Sequence, residues 1–129
     1  MEEVKKPWFR FYGCVPETLD YPDCTMAEAV ENVAKKCPDY IAYDFMGKKT
    51  TYANAVKDII AAAKALKALG VKEDDRVTIC MPNPPQTVSM FYAANMVGAI
   101  ANMIHPLSSE NEIAFYLNDS DSKVAITLD

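Results

Sequence analysis

The chain has 129 residues, half of them hydrophobic, which suffices for a single core and sets one ordinary domain as the upper limit. Its net charge of -5 argues against nucleic acid or an anionic membrane surface as the partner, because neither attracts an acidic protein as a whole. The start, MEEVKKPWFRFYG, lacks an apolar signal core, which suggests a cytoplasmic location.

Residues 4 to 24 combine Trp8, Phe9, Phe11, Tyr12 and Tyr21 with Pro7, Pro16 and Pro22 and show no sustained period, so an extended arm anchored by its aromatics is expected over 1–24. Thr25 followed by Glu28 spells a capping box, and Met26, Ala29, Val30, Val33 and Ala34 recur at helical spacing until Pro38, which predicts a helix over 26–36. Residues 41–45 and 49–51 flank Met46-Gly47-Lys48 as a small hairpin. Thr51 can cap the next helix, whose stripe of Val56, Ile59, Ile60, Ala63, Leu66 and Leu69 lies opposite Lys57, Asp58, Lys64 and Lys67; Gly70 ends it, with Val71 placed to pack back on Leu66. Strands over 76–81, 99–104 and 123–128 then alternate with helices over 84–97 and 110–118. That alternation implies an α/β fold with a parallel three-stranded sheet, flanking helices and right-handed crossovers. Asn83 is placed to cap the middle helix with Pro84 at its first position, Gly98 to end it, and Ser109 with Glu112 to form a second capping box. Residues 25–129 are thus expected to make one α/β subdomain.

Residues 77–109 contain no Asp, Glu, Lys or Arg, although 24% of the chain is charged. At average density the run would hold about eight charges, so it must be hidden from water on more than one side. Pro82, Pro84, Pro85, Asn83, Asn95, Gly98 and Asn102 break it into pieces too short and too polar for a transmembrane segment. The middle helix, with Val88, Met90, Phe91, Tyr92, Ala93, Ala94, Met96 and Val97, has almost no polar face and is expected to be buried all round.

Cys14, Cys24, Cys37 and Cys80 lack Cys-x-x-Cys spacing and have one imidazole, His105, to help them, so they read as free thiols, with Cys80 buried in a strand. Phosphate-cradling loops need glycines close together, whereas Gly13, Gly47, Gly70 and Gly98 are far apart. His105 follows a strand, where open parallel sheets bind ligands, but no Gly-x-Ser-x-Gly elbow presents a serine to it. Ser108 and Ser109 serve as helix caps, and the role expected of His105 is structural or cleft-lining. The acid pairs Asp74 with Asp75 and Asp119 with Asp121 fall in turns, where carboxylates stay solvated.

Pro7-Trp8, Val15-Pro16-Glu17, Leu19-Asp20-Tyr21-Pro22 and Thr25 together resemble the start of bacterial long-chain fatty acid CoA ligases of the adenylate-forming (AMP-binding) superfamily. The resemblance continues through Gly47-Lys48-Lys49-Thr50-Thr51-Tyr52, Leu69-Gly70-Val71-Lys72, Asp75-Arg76-Val77, Met81-Pro82-Asn83-Pro84-Pro85-Gln86, Tyr92-Ala93-Ala94, Gly98-Ala99-Ile100, Asn118-Asp119-Ser120 and Lys123-Val124. The chain departs from that pattern at Asn54, where Glu is usual, at Asp74 and Asp121, where glycine is common, and at His105, where Asn usually precedes the proline.

The resemblance implies a parent enzyme that adenylates a fatty acid with ATP and magnesium and then forms a thioester with coenzyme A. It also implies that the phosphate loop, the acids that hold ribose and metal, and the lysine of a mobile C-terminal domain lie beyond the part represented here. The chain is therefore expected to be an incomplete subdomain of that fold, catalytically inactive alone, with no catalytic, cofactor-binding or metal residue of its own. Its partner would be the remainder of its own chain. Peripheral membrane contact is open to the parent, and self-association through the 84–104 region to the fragment. The alternatives are a complete flavodoxin-like or receiver-like binding module, or a non-enzymatic interaction module, with no ligase role.

Overall fold

A computed structural model describes residues 6–128. The elements in chain order are a 3-10 turn (Pro7–Phe11), α1 (Met26–Lys36), β1 (Ile41–Phe45), β2 (Lys48–Thr51), α2 (Tyr52–Ala68), β3 (Arg76–Cys80), α3 (Pro85–Met96), β4 (Ile100–Met103), α4 (Glu110–Asp119) and β5 (Ser122–Thr127). Strands β1 and β2 form an antiparallel hairpin, and the other three make a parallel sheet in the order β4-β3-β5.

Local sequence explains most helix starts. Thr25 Oγ1 accepts the Glu28 N–H at 3.1 Å and Glu28 Oε2 accepts the Thr25 N–H at 2.7 Å, which closes the first capping box; Ser109 and Glu112 repeat it at α4. Thr51 caps α2 through the Asn54 N–H, and the Tyr52 and Ala53 N–H groups donate to the carbonyls of Tyr40 and Pro38. The hairpin turns on two residues, Met46 and Gly47, both with positive φ, so Lys48 belongs to β2 and not to the connection.

Three further expectations differ from the structure at the α3 start, the arm and Cys80. Asn83 does not cap α3: the helix begins at Pro85, with Pro84 extended as its N-cap and no side-chain cap bond. A residue before proline is driven from helical angles, so Pro85 keeps Pro84 out of the helix and moves the start one residue on. The arm is not simply extended, because Pro7 presets the turn of Pro7–Phe11 and Trp8, Phe9 and Tyr12 meet edge to face; no residue of this turn is buried. Cys80 is half-buried, at the end of its strand.

In-register pairing puts Val77, Ile79, Ala101, Val124 and Ile126 on one face of the sheet and Thr78, Asn102 and Ala125 on the other. Because β4 and β5 flank β3 on opposite sides, right-handed crossovers set α3 and α4 on opposite faces. The core lies on the α3 face, where Val77 and Ile79 meet Leu66, Ala62 and Ala63 of α2 and Ala93 and Ala94 of α3. Helix α3 packs against α1, α2 and the sheet, yet Val88 stays 38% exposed, so it is enclosed on several sides and not all round.

The accessible surface is 9654 Å². A folded monomer of 14.3 kDa exposes about 6,800 Å², and the six residues outside the description add at most about 1,000 Å² at the unfolded-chain value. The excess is apolar in part: Ile100, Met103, Leu107, Phe115 and Leu128 are exposed, and α4 buries none of its residues. The chain therefore presents surfaces of the kind that ordinary monomers cover.

Asp74 and Asp121 have φ of 63° and 49°, the left-handed region that favours glycine. Asp74→Gly is expected to raise stability by up to about 1 kcal/mol in urea unfolding, because relief of strain exceeds the added freedom of the unfolded chain.

Candidate functional site

The parallel strands share one carboxyl end, and there the chain places the Pro82 to Pro85 loop after β3 and His105 after β4. His105 is exposed; its Nδ1 accepts the Leu107 N–H at 3.1 Å, and its carbonyl accepts the Ser108 N–H. That side-chain bond to the backbone two residues on makes the ring part of the turn that leads into α4. Ser109 Oγ is held by Glu112 Oε2 at 2.8 Å within the capping box and is not presented to His105 as a nucleophile.

The acid pairs lie at the opposite end of the sheet. Asp75 precedes β3, where its Oδ2 accepts Lys123 Nζ at 2.7 Å and the Lys72 N–H at 2.6 Å; Lys123 also donates to the Gly70 carbonyl at 2.6 Å. The bond from Lys123, then that from Lys72, holds the Asp75 carboxyl below its ordinary range. Glu28 and Glu112 are lowered likewise, each by the backbone N–H and then the hydroxyl of its capping partner. A carboxyl whose pKa is lower when folded stabilises the fold above the ordinary range, and that contribution disappears as pH falls through the lowered value. Urea midpoints should accordingly decline as pH drops below about 4.5, and Glu28→Gln with Glu112→Gln should flatten the decline.

Two constellations were not apparent from sequence spacing. Asn102 Nδ2 donates to Thr78 Oγ1 at 2.9 Å, Thr78 Oγ1 pairs with Ser122 Oγ at 2.6 Å, Ser122 Oγ with Ser120 Oγ at 2.7 Å, and Ser120 Oγ reaches the Tyr116 carbonyl at 2.7 Å. This polar ladder crosses all three strands and ends on α4, with Thr78 fully buried in the middle. The second is Asn95 of α3, whose Oδ1 accepts the Ala27 N–H of α1 at 2.9 Å; an amide in a helix without charged residues was the available signal for it.

A groove of about 710 Å³ lies between the hairpin and helices α2 and α3, lined by Ala61, Ala62, Ala65 and Met90 together with Lys48 and Asp58. It can hold an apolar group, but its lining includes no His or Cys to act as a base or nucleophile near neutral pH. Among the described residues no group of three or more His, Cys, Asp or Glu side chains could hold a metal ion. The four glycines lie in separate turns, so they form no phosphate cradle. Among the described residues no helix is long and apolar enough to cross a membrane.

The geometry defines an α/β subdomain with a short parallel sheet, open at both edges among the described residues, and with its helices on both faces. The family described as "AMP-binding enzyme" matches residues 30–129, and the chain belongs to that family. It is 35% identical to the long-chain-fatty-acid--CoA ligase of Bacillus subtilis over 98% of its own length and 23% of that protein, and 32% identical to an acetyl-coenzyme A synthetase of Streptomyces coelicolor over 88% and 20%. The crystal structure of the N-terminal domain of FACL13 from Mycobacterium tuberculosis superposes with a TM-score of 0.78 at 32% identity, covering 81% of this chain and 27% of that one. The chain thus spans about a quarter or less of these proteins and corresponds to the N-terminal part of fatty acid CoA ligase homologues.

Proposed function

We propose that the chain is the opening segment of an ATP-dependent acyl-CoA ligase. In the whole enzyme a carboxylate oxygen attacks ATP to give acyl-AMP and pyrophosphate, with magnesium spreading the phosphate charge. The thiolate of coenzyme A then displaces AMP to give the thioester. In this reading the 129 residues are structural. They supply sheet and core, they hold neither ATP, magnesium nor coenzyme A, and the rest of a longer chain covers their open faces.

The observation that carries the proposal is alignment over 98% of the chain with the long-chain-fatty-acid--CoA ligase of Bacillus subtilis. We place the substrate among long-chain fatty acids on that relative, and the enzyme in the cytoplasm. The test is a chimera in which this chain replaces the corresponding first quarter of that ligase. It should form thioester with palmitate faster than with acetate, while the 129-residue chain alone catalyses no ATP–pyrophosphate exchange. A folded chimera that cannot adenylate any fatty acid, or exchange by the chain alone, would overturn the reading, and a preference for acetate would reassign the substrate.

A further inference from the structure

The connection from β4 to α4 is held by two bonds that differ in kind. His105 Nδ1 accepts the Leu107 N–H at 3.1 Å, and the His105 carbonyl accepts the Ser108 N–H at 3.1 Å. Pro106 between them has no N–H, so Leu107 is the first backbone donor beyond the ring, and the fixed φ of Pro106 holds it there. A bond from a side chain to the backbone two residues on is the one that Asn and Asp ordinarily make in turns. An amide oxygen accepts at every pH, whereas an imidazole accepts only through an unprotonated nitrogen.

We propose that His105 is a proton switch for this connection, closed while Nδ1 accepts from Leu107 and open once the ring takes up a second proton. The imidazolium carries N–H at both nitrogens and would set a donor against a donor, so the ring turns away and Leu107 is released. Histidine is the side chain whose charge ordinarily changes between pH 5 and 8. The ionisable groups around the ring are few. The Ile104 N–H donates to the Ile79 carbonyl, which sets the start of the loop beside Cys80 at the end of β3. Helix α4 brings Glu110 and Glu112 in its first turn, while the Pro82 to Pro85 loop, β4 and residues 124–128 bring none. Glu112 is engaged by Ser109 and its carboxyl is held below the ordinary range, so it stays ionised across that window and the capping box keeps the start of α4 in place. Among the described residues no carboxylate oxygen lies within 4.0 Å of a ring nitrogen. The released segment stands at the carboxyl end of the sheet, where open parallel sheets bind ligands, so acid loosens one wall of that end. The inference uses only bonds within the described chain and stands apart from the ligase reading.

The test is NMR of the 15N-labelled 129-residue chain between pH 8 and pH 5. The Leu107 amide proton should move upfield with the same midpoint as the His105 ring protons, and its protection from solvent exchange, relative to an unfolded chain, should fall about fivefold. The Ser108 amide, bonded to a carbonyl, should move much less. His105→Asn keeps an acceptor and should hold the Leu107 amide downfield throughout the range, whereas His105→Ala should leave it upfield throughout. A Leu107 amide that stays in place while the ring titrates would overturn the proposal. So would one that titrates equally in the His105→Asn variant, which would assign the response to Cys80 or Glu110.

Discussion

Leu66→Ala should cost about 3 kcal/mol, within a range of about 2–5, read as the loss of urea midpoint. Leu66 is 1% exposed on the inner side of α2, in the cluster formed with Val77, Ile79, Ala93 and Ala94. Its neighbours are strand and helix residues fixed by their own hydrogen bonds, so they cannot close fully over the lost atoms, and the cavity term adds to the lost transfer energy. Small domains have about 5–15 kcal/mol in total, and this one leaves unusual area uncovered, so a single such change consumes much of its margin. Leu69→Ala, at an exposed position three residues on, should change the midpoint by less than about 0.5 kcal/mol. Equal losses at the two positions would contradict the core described here.

Asn95→Ala should cost about 1–3 kcal/mol by the same measurement. Asn95 Oδ1 of α3 accepts the Ala27 N–H at 2.9 Å, in the first turn of α1, where intrahelical acceptors are lacking. Ala27 is 4% exposed, so water does not replace the lost partner. The cost is therefore that of a buried donor left unpaired and not merely of a bond exchanged with solvent. Asn95→Asp keeps an acceptor at the positive end of α1 and should recover part of the loss, although its charge lies near the unfavourable end of α3. A variant with Asp as damaged as the one with Ala would show that the amide acts through something other than this bond.

The two substitutions show what sequence makes legible. The capping boxes at Thr25 and Ser109, the helices expected over 26–36 and 110–118 and the parallel alternation were readable because each depends on residues three or four apart or on a local period. The Pro84-Pro85 pair defeated the Asn83 cap through a neighbour effect that outranks capping preference. The Asn95 bond spans 68 positions and the Thr78 to Ser122 link spans 44, distances over which one sequence offers no period to follow. Asp74 and Asp121 departed from the glycine common in the resembling family, and the structure puts both at left-handed angles, so this divergence could be turned into geometry. His105 was legible as a residue at a strand end but not as the acceptor of the Leu107 N–H, because that bond depends on the bend at Pro106.

The strand order β4-β3-β5 gives the sheet a chronology. The central strand, Arg76–Cys80, finds its first neighbour once residue 103 has been made, and its second only when residues 122–127 have followed. At about 5–20 residues per second the interval between the two on a ribosome is on the order of one to five seconds. During that time one side of β3 presents unpaired amides and carbonyls, and Thr78 lacks its Ser122 partner. A nascent chain paused there is a half-built sheet with an open edge, the species that chaperones bind and that neighbouring ribosomes can cross-pair.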